Sequence, residues 1–178
     1  MTAAPSPGDP LRRLNAAAPE EAYQALLGCC ASTRWARRMA SGRPYAGESA
    51  LLEAAARTWW ELSPDDWREA LCGHPRIGET AAHVGGVTGG ELARREQAGV
   101  LGAPSTLLDR LSLGNRRYEE RFGHIFVIRA RGRDVEEMLE ALESRLGNDP
   151  ARELEVAAGE QAAITGLRLQ GLVARGRP

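Results

Sequence analysis

Along nearly the whole chain, apolar residues recur three and four positions apart, and the β-branched alternation that marks a strand is almost absent. That interval collects them on one side of a helix, so the pattern predicts an all-α, single-domain, multi-helix bundle. Residues 1–9 read as a flexible tail and residues 10–174 as the helical domain. Pro10 after Asp9 opens a short helix through Leu11 and Leu14, and Pro19 opens another that turns Tyr23, Leu26, Leu27 and Cys30 inward. Ser32 caps a turn bearing Trp35 and Met39, and Leu51, Leu52, Ala55, Trp59 and Leu62 form the next stripe. In SPDDW, Ser63 is the N-cap, Pro64 the first helical residue and the acids fill the first turn, with Trp67 and Leu71 facing the core. Gly73 ends this helix, and Pro75 forces His74 into an extended conformation at the start of a loop.

The second half of the chain repeats the theme with one exception. A glycine-rich loop over residues 84–90 suggests a lid, and a helix follows from about Glu91 to Val100. PSTLLDRLSLGNRRYEERFG carries Leu107, Leu108, Leu111, Tyr118 and Phe122 in helical register despite Gly114. HIFVIRARG is short, apolar and β-branched, with no second strand to pair with, so residues 124–131 read as an extended segment through the core. Asp134 and Glu137 form a capping-box variant for a helix through Met138, Leu142 and Leu146 that stops at Gly147. Asp149 and Pro150 start a last long helix through Leu154, Ala158, Ile164, Leu167 and Arg168.

Composition narrows the chemistry. The chain of 178 residues contains no lysine: all 23 Lys+Arg residues are arginine. A lysine Schiff base, a pyridoxal phosphate linkage and a P-loop lysine are therefore excluded. A formal net charge of -1 provides no general attraction for nucleic acid or an anionic membrane, so the expected partner is a small molecule. Cys29, Cys30 and Cys72 make an odd set with an adjacent pair, which fits a reducing cytoplasm better than a disulfide framework. The N-terminal residues resemble neither a signal peptide nor a membrane span. The histidines at 74, 83 and 124 have no metal-ligand spacing, and no metal is expected.

Three places carry candidate chemistry, each with a structural alternative. His74 between Gly73 and Pro75 is either a loop histidine of structural use or a proton donor. In LARREQAGV, helical spacing puts Ala93, Glu96 and Gln97 on one side, which is either a catalytic wall or a solvated polar face flanked by Arg94 and Arg95. Arg168 lies between Ile164 and Leu172 on a largely apolar face, so it points partly inward to meet either an anionic ligand or a glutamate.

The ordered blocks WARRMASGRPY, GHPRIGE, ARREQAGV, YEERFGHIFVIRARGR, RLGNDPARELEVA and ITGLRL resemble the family of 2-oxo-4-hydroxy-4-carboxy-5-ureidoimidazoline (OHCU) decarboxylases, which complete the conversion of urate to (S)-allantoin. The resemblance implies an all-helical fold peculiar to the family, a homodimer and a reaction without cofactor. It implies that His74 is the catalytic proton donor, that Pro75 lines the site, and that Glu96 and Gln97 act within a Ser-x-x-Glu-Gln motif spanning 93–97, with Glu96 catalytic and Ala93, Arg94 and Arg95 beside the substrate. It further implies that the backbone of Phe126, Val127, Ile128, Arg129 and Ala130 holds the substrate ring and that Arg168 balances its anionic charge. Position 93 is alanine where the family pattern often has serine, which removes a hydroxyl contact. Two other readings accompany this one: a noncatalytic helical binding module of the urate pathway, and a hydrolase of a related ureido compound using His74 and Glu96 on water.

Overall fold

A computed structural model describes residues 9–77 and 102–174. Eight helices are present among the described residues: α1 (Pro10–Ala16), α2 (Pro19–Leu27), α3 (Thr33–Ser41), α4 (Glu48–Trp60), α5 (Pro64–Cys72), α6 (Ser105–Phe122), α7 (Val135–Arg145) and α8 (Pro150–Ala174). No strand occurs among them, as the apolar spacing predicts. None of these helices is long and apolar enough to cross a membrane. The tail up to residue 8, the loop at 84–90 and the helix expected at 91–100 lie outside the described residues.

The helix starts follow the local chemistry. The Asp9 carboxylate accepts from the Leu11 N–H at 3.0 Å, and Ser32 Oγ accepts from the Trp35 N–H at 3.3 Å. Ser63 Oγ accepts from the Asp66 N–H at 3.3 Å while the Asp66 carboxylate accepts back from the Ser63 N–H at 3.0 Å. That hydroxyl and amide set holds the Asp66 carboxyl below the usual carboxylate range. Asp134 and Glu137 form a full capping box, so each satisfies an orphan backbone donor of the other.

The residues group into two compact units, one running to Asp66 and resuming at Ala162, the other Trp67–Gln161. In the first, α2 packs on α3 and α3 on α4. The Trp35 indole N–H donates to the Ala55 carbonyl at 3.1 Å, and the Tyr45 hydroxyl donates to the Met39 carbonyl at 2.7 Å. Arg43 ties α1 down by donating to the carbonyls of Leu14 at 2.6 Å and Ala17 at 2.8 Å.

In the second unit, α6 packs on α7 around Leu111, Tyr118, Phe126, Ile128, Met138, Leu139 and Leu142. Gly114 is buried in that contact, and a Cβ there would lie 2.5 Å from Leu142 Cδ2. The glycine that interrupts the apolar pattern is therefore what lets the two helices approach. Trp67, expected in the core, is only half-buried; Ala70 and Leu71 take that role on α5. Helix α6 stops at Gly123, whose φ of 72° is left-handed, and Gly132 with φ of 85° closes the extended stretch that follows.

Candidate active site

The second unit builds the site from a loop, an extended segment and the first half of α8. Beyond α5, the Gly73 N–H donates to the Ala70 carbonyl at 3.1 Å and the His74 N–H to the Leu71 carbonyl at 3.2 Å, so the chain leaves the helix in a tight last turn. His74 and Pro75 are half-buried. Two residues four apart on one face of α6 then fasten the loop. Asn115 donates to the Ile77 carbonyl at 3.0 Å, and the Arg76 guanidinium pairs with Glu119 through bonds of 2.6 and 2.9 Å. Ile77 itself is buried in the α6–α7 cluster. The histidine thus sits on a stretch of main chain held at its far end by a buried amide and a bidentate ion pair.

The ring of His74 is held as well. Its Nε2 lies 2.7 Å from Oε1 of Gln161, a residue of α8 with 0% exposure. An amide oxygen only accepts, so this contact is a hydrogen bond when Nε2 carries the hydrogen.

The extended segment behaves as its composition predicts. Phe126, Val127, Ile128 and Ala130 are buried while Arg129 is exposed. With no strand beside it among the described residues, side chains occupy its main-chain groups. The Arg129 N–H donates to Glu160 at 2.7 Å, and the Val127 carbonyl accepts from Arg145 at 2.9 Å. Glu160 also faces Arg133 at 3.7 Å. Adjacent residues of α8, Glu160 and Gln161, therefore hold the segment and the histidine ring respectively, and bring two of the sequence-predicted parts onto a common support.

Beneath the segment lies a buried ionic network. Arg145, 8% exposed, donates from Nε to Glu153 at 2.7 Å and stacks over Phe126 at 4.6 Å. Glu153, wholly buried, also accepts from the Tyr118 hydroxyl and from Asn148 Nδ2, the latter at 2.7 Å. Burial, together with Glu153, pushes the Tyr118 phenol well above its usual range despite the opposing Arg145 charge. His124 packs edge-on to Tyr118, and burial pushes its pKa down. No group of His, Cys, Asp or Glu among the described residues is arranged to hold a metal ion.

Of the other sequence-predicted residues, Arg168 belongs to the first unit and is buried at 8% exposure, so its inward orientation is as the helical spacing requires. Ala93, Arg94, Arg95, Glu96 and Gln97 lie outside the described residues. Sequence reasoning missed Gln161, Glu160, Arg145 and Glu153. A signal existed for two of them: Arg145 follows Met138 and Leu142 at helical spacing, and Gln161 follows Leu154, Ala157 and Ala158.

Among its described residues the protein is helical, with a loop histidine and an extended segment each held by a side chain of α8. A family model described as OHCU decarboxylase matches residues 15–170. The chain belongs to the OHCU decarboxylase family. It is 38% identical over 140 residues to a 2-oxo-4-hydroxy-4-carboxy-5-ureidoimidazoline decarboxylase of Amia calva, covering 75% of this chain and 76% of that one. It is 37% identical over 148 residues to the uric acid degradation bifunctional protein TTL of Arabidopsis thaliana, covering 81% of this chain and spanning 45% of that longer protein. Among solved structures it is similar to a crystal structure of OHCU decarboxylase in the presence of (S)-allantoin, with a TM-score of 0.73, 32% identity and coverage of 85% of this chain and 98% of that one.

Proposed function

We propose that the chain catalyses the decarboxylation of OHCU to (S)-allantoin in urate degradation. The observation that carries this reading is the His74 ring, fixed at 2.7 Å by a buried amide on a helix whose preceding residue anchors Arg129 in the extended segment. That arrangement suits a reaction whose main demand is orientation followed by delivery of one proton.

The chemistry balances without a further reagent. The bond from the ring carbon to the carboxylate breaks, carbon dioxide leaves, and the electron pair enters the adjacent ring C=N. The ring nitrogen takes up a proton to leave an enol. The hydroxyl then gives up its proton to become the carbonyl while a proton is delivered to the adjacent ureido-bearing carbon, the former imine carbon, giving allantoin. The substrate is its own electron sink, which agrees with a chain that has no lysine for an imine. In this reading His74 delivers the proton to one face, and Glu96 partners His74 or the substrate hydroxyl. Pro75, Gln97 and the backbone of Phe126, Val127, Ile128, Arg129 and Ala130 hold the ring, beside Ala93, Arg94 and Arg95, and Arg168 balances the anionic charge. The main-chain groups of Val127 and Arg129 that Arg145 and Glu160 occupy are already taken. Successive residues of an extended chain face opposite ways, so in this reading the main-chain groups of Ile128 are the ones turned toward a ligand, together with the Ala130 N–H, the Ala130 carbonyl being bonded to the Arg133 N–H at 3.1 Å. The reading extends to a homodimer working in the cytoplasm.

The test compares wild type with His74→Ala and Glu96→Ala for formation of optically active allantoin from freshly generated substrate, followed by circular dichroism. A general acid contributes about 10² to 10⁴ in rate, so His74→Ala falls to the spontaneous, racemic background. Full activity and enantiomeric excess in both variants overturns the assignment. A wild-type protein that yields only racemate at the spontaneous rate is instead a binding module, and release of ammonia or urea marks a hydrolase.

A further inference from the structure

We propose that Gln161 is a positioning residue for His74: its buried amide oxygen keeps the ring in one orientation with a hydrogen on Nε2. The inference rests on the reading of His74 as proton donor. Gln161 has 0% exposure among Leu154, Ala157 and Ala158 of α8, a place where an apolar residue is the default. Burying an amide there is costly unless its hydrogen bonds are made, and the 2.7 Å bond to His74 Nε2 makes one of them. The amide is carried by a 25-residue helix, so the acceptor is fixed before substrate arrives.

The residue type matters as much as the place. An amide oxygen is a neutral acceptor that does not titrate. It selects the Nε2–H tautomer over the Nδ1–H one without adding a negative charge. A carboxylate at this position would stabilise the imidazolium and withhold the proton the reaction needs. With Nε2–H bonded to Gln161, Nδ1 is the nitrogen left to hand a proton to the substrate and to take one back.

Among the described residues, the charges on the elements that carry His74 and Gln161 include Arg68 and Glu69 on α5, Arg76 in the loop with its partner Glu119 on α6, and Glu160 on α8 with Arg129 and Arg133. All are shared by wild type and any variant at 161, so a difference between them reports on position 161.

Two measurements test the proposal. In 15N NMR of the wild-type chain, with the His74 signals assigned by their loss in His74→Ala, the neutral ring shows a protonated Nε2. A neutral ring protonated at Nδ1 overturns the proposal, and no turnover is needed to see it. In steady-state assays, Gln161→Glu shifts the alkaline limb of the pH–kcat profile upward by about one unit or more. Gln161→Leu lowers kcat roughly 10-fold or more with KM changed by less than about 3-fold, and Gln161→Asn recovers little because its amide is one methylene short. Profiles that superimpose on wild type for both Gln161→Glu and Gln161→Leu overturn it as well. Failure of the proton-donor reading is a separate outcome, seen as full stereoselective turnover by His74→Ala.

Discussion

Replacing Arg145 with methionine probes the network under the extended segment. Methionine keeps much of the aliphatic stem and removes the charge. The substitution deletes the 2.7 Å bond to Glu153, the 2.9 Å bond to the Val127 carbonyl and the stacking over Phe126 at 4.6 Å. It also leaves Glu153, at 0% exposure, as a buried carboxylate with Tyr118 and Asn148 as its remaining donors. Breaking one side of a buried pair costs about 3–5 kcal/mol, against a total stability of about 5–15 kcal/mol for a domain. With a urea m-value of about 2 kcal/mol/M, the midpoint falls by about 1.5–2.5 M. Removing both charges, in Arg145→Met with Glu153→Met, leaves only neutral groups without partners, so the double variant is less destabilised than the sum of the singles by about 2 kcal/mol or more. Urea denaturation of wild type, both singles and the double, followed by far-UV circular dichroism, measures that cycle. Singles that each cost under about 1 kcal/mol, or a double that equals their sum, refute the claim that the pair is a coupled buried unit.

Two further outcomes follow from the packing and from a buried imidazole. Gly114→Ala gains up to about 1 kcal/mol of helix propensity but places a methyl against buried Leu142, an overpacking cost of about 1–3 kcal/mol, so it destabilises the wild type. In a Leu142→Ala background the same change fills the space left and stabilises; the same sign in both backgrounds would falsify the close-approach reading. Burial lowers the pKa of His124, so the folded state binds fewer protons than the unfolded one at and below the unfolded value of about 6.5. Its contribution to stability is complete above that value and is lost as pH falls through it toward the folded pKa. Urea midpoints at a series of pH values between about 7.5 and 5 therefore decline more steeply for wild type than for His124→Phe, and equal slopes count against the burial argument.

The helix boundaries were legible because short-range chemistry sets them. Asp9, Ser32, Ser63 and Asp134 each have a side chain that reaches the next turn's N–H, and Gly123 takes a backbone angle that other residues resist. The extended stretch was legible by elimination, since a short β-branched run between two glycines suits neither a helix nor a lone strand. Arg168 was legible from periodicity alone. The partnership of Arg145 with Glu153 and Tyr118 was not, because pairing across 8 and 27 residues follows from how helices cross, not from any repeat. Gln161 shared that fate: spacing puts it on the buried face, but its partner His74 is 87 residues away in sequence. Gly114 read as a flaw in a helix until Leu142 was seen opposite it.

The extended segment has a consequence for mutational tolerance. Its main chain is held by Arg145 and Glu160, and what each grips is a carbonyl or an N–H that any amino acid supplies. At Arg129, whose side chain is exposed, nearly every substitution preserves the grip. Proline alone removes the hydrogen that Glu160 accepts. The side chain at 129 is thus free to drift over evolutionary time while Glu160, thirty-one positions away, is not. Variation among relatives at this position says little about whether the segment still works.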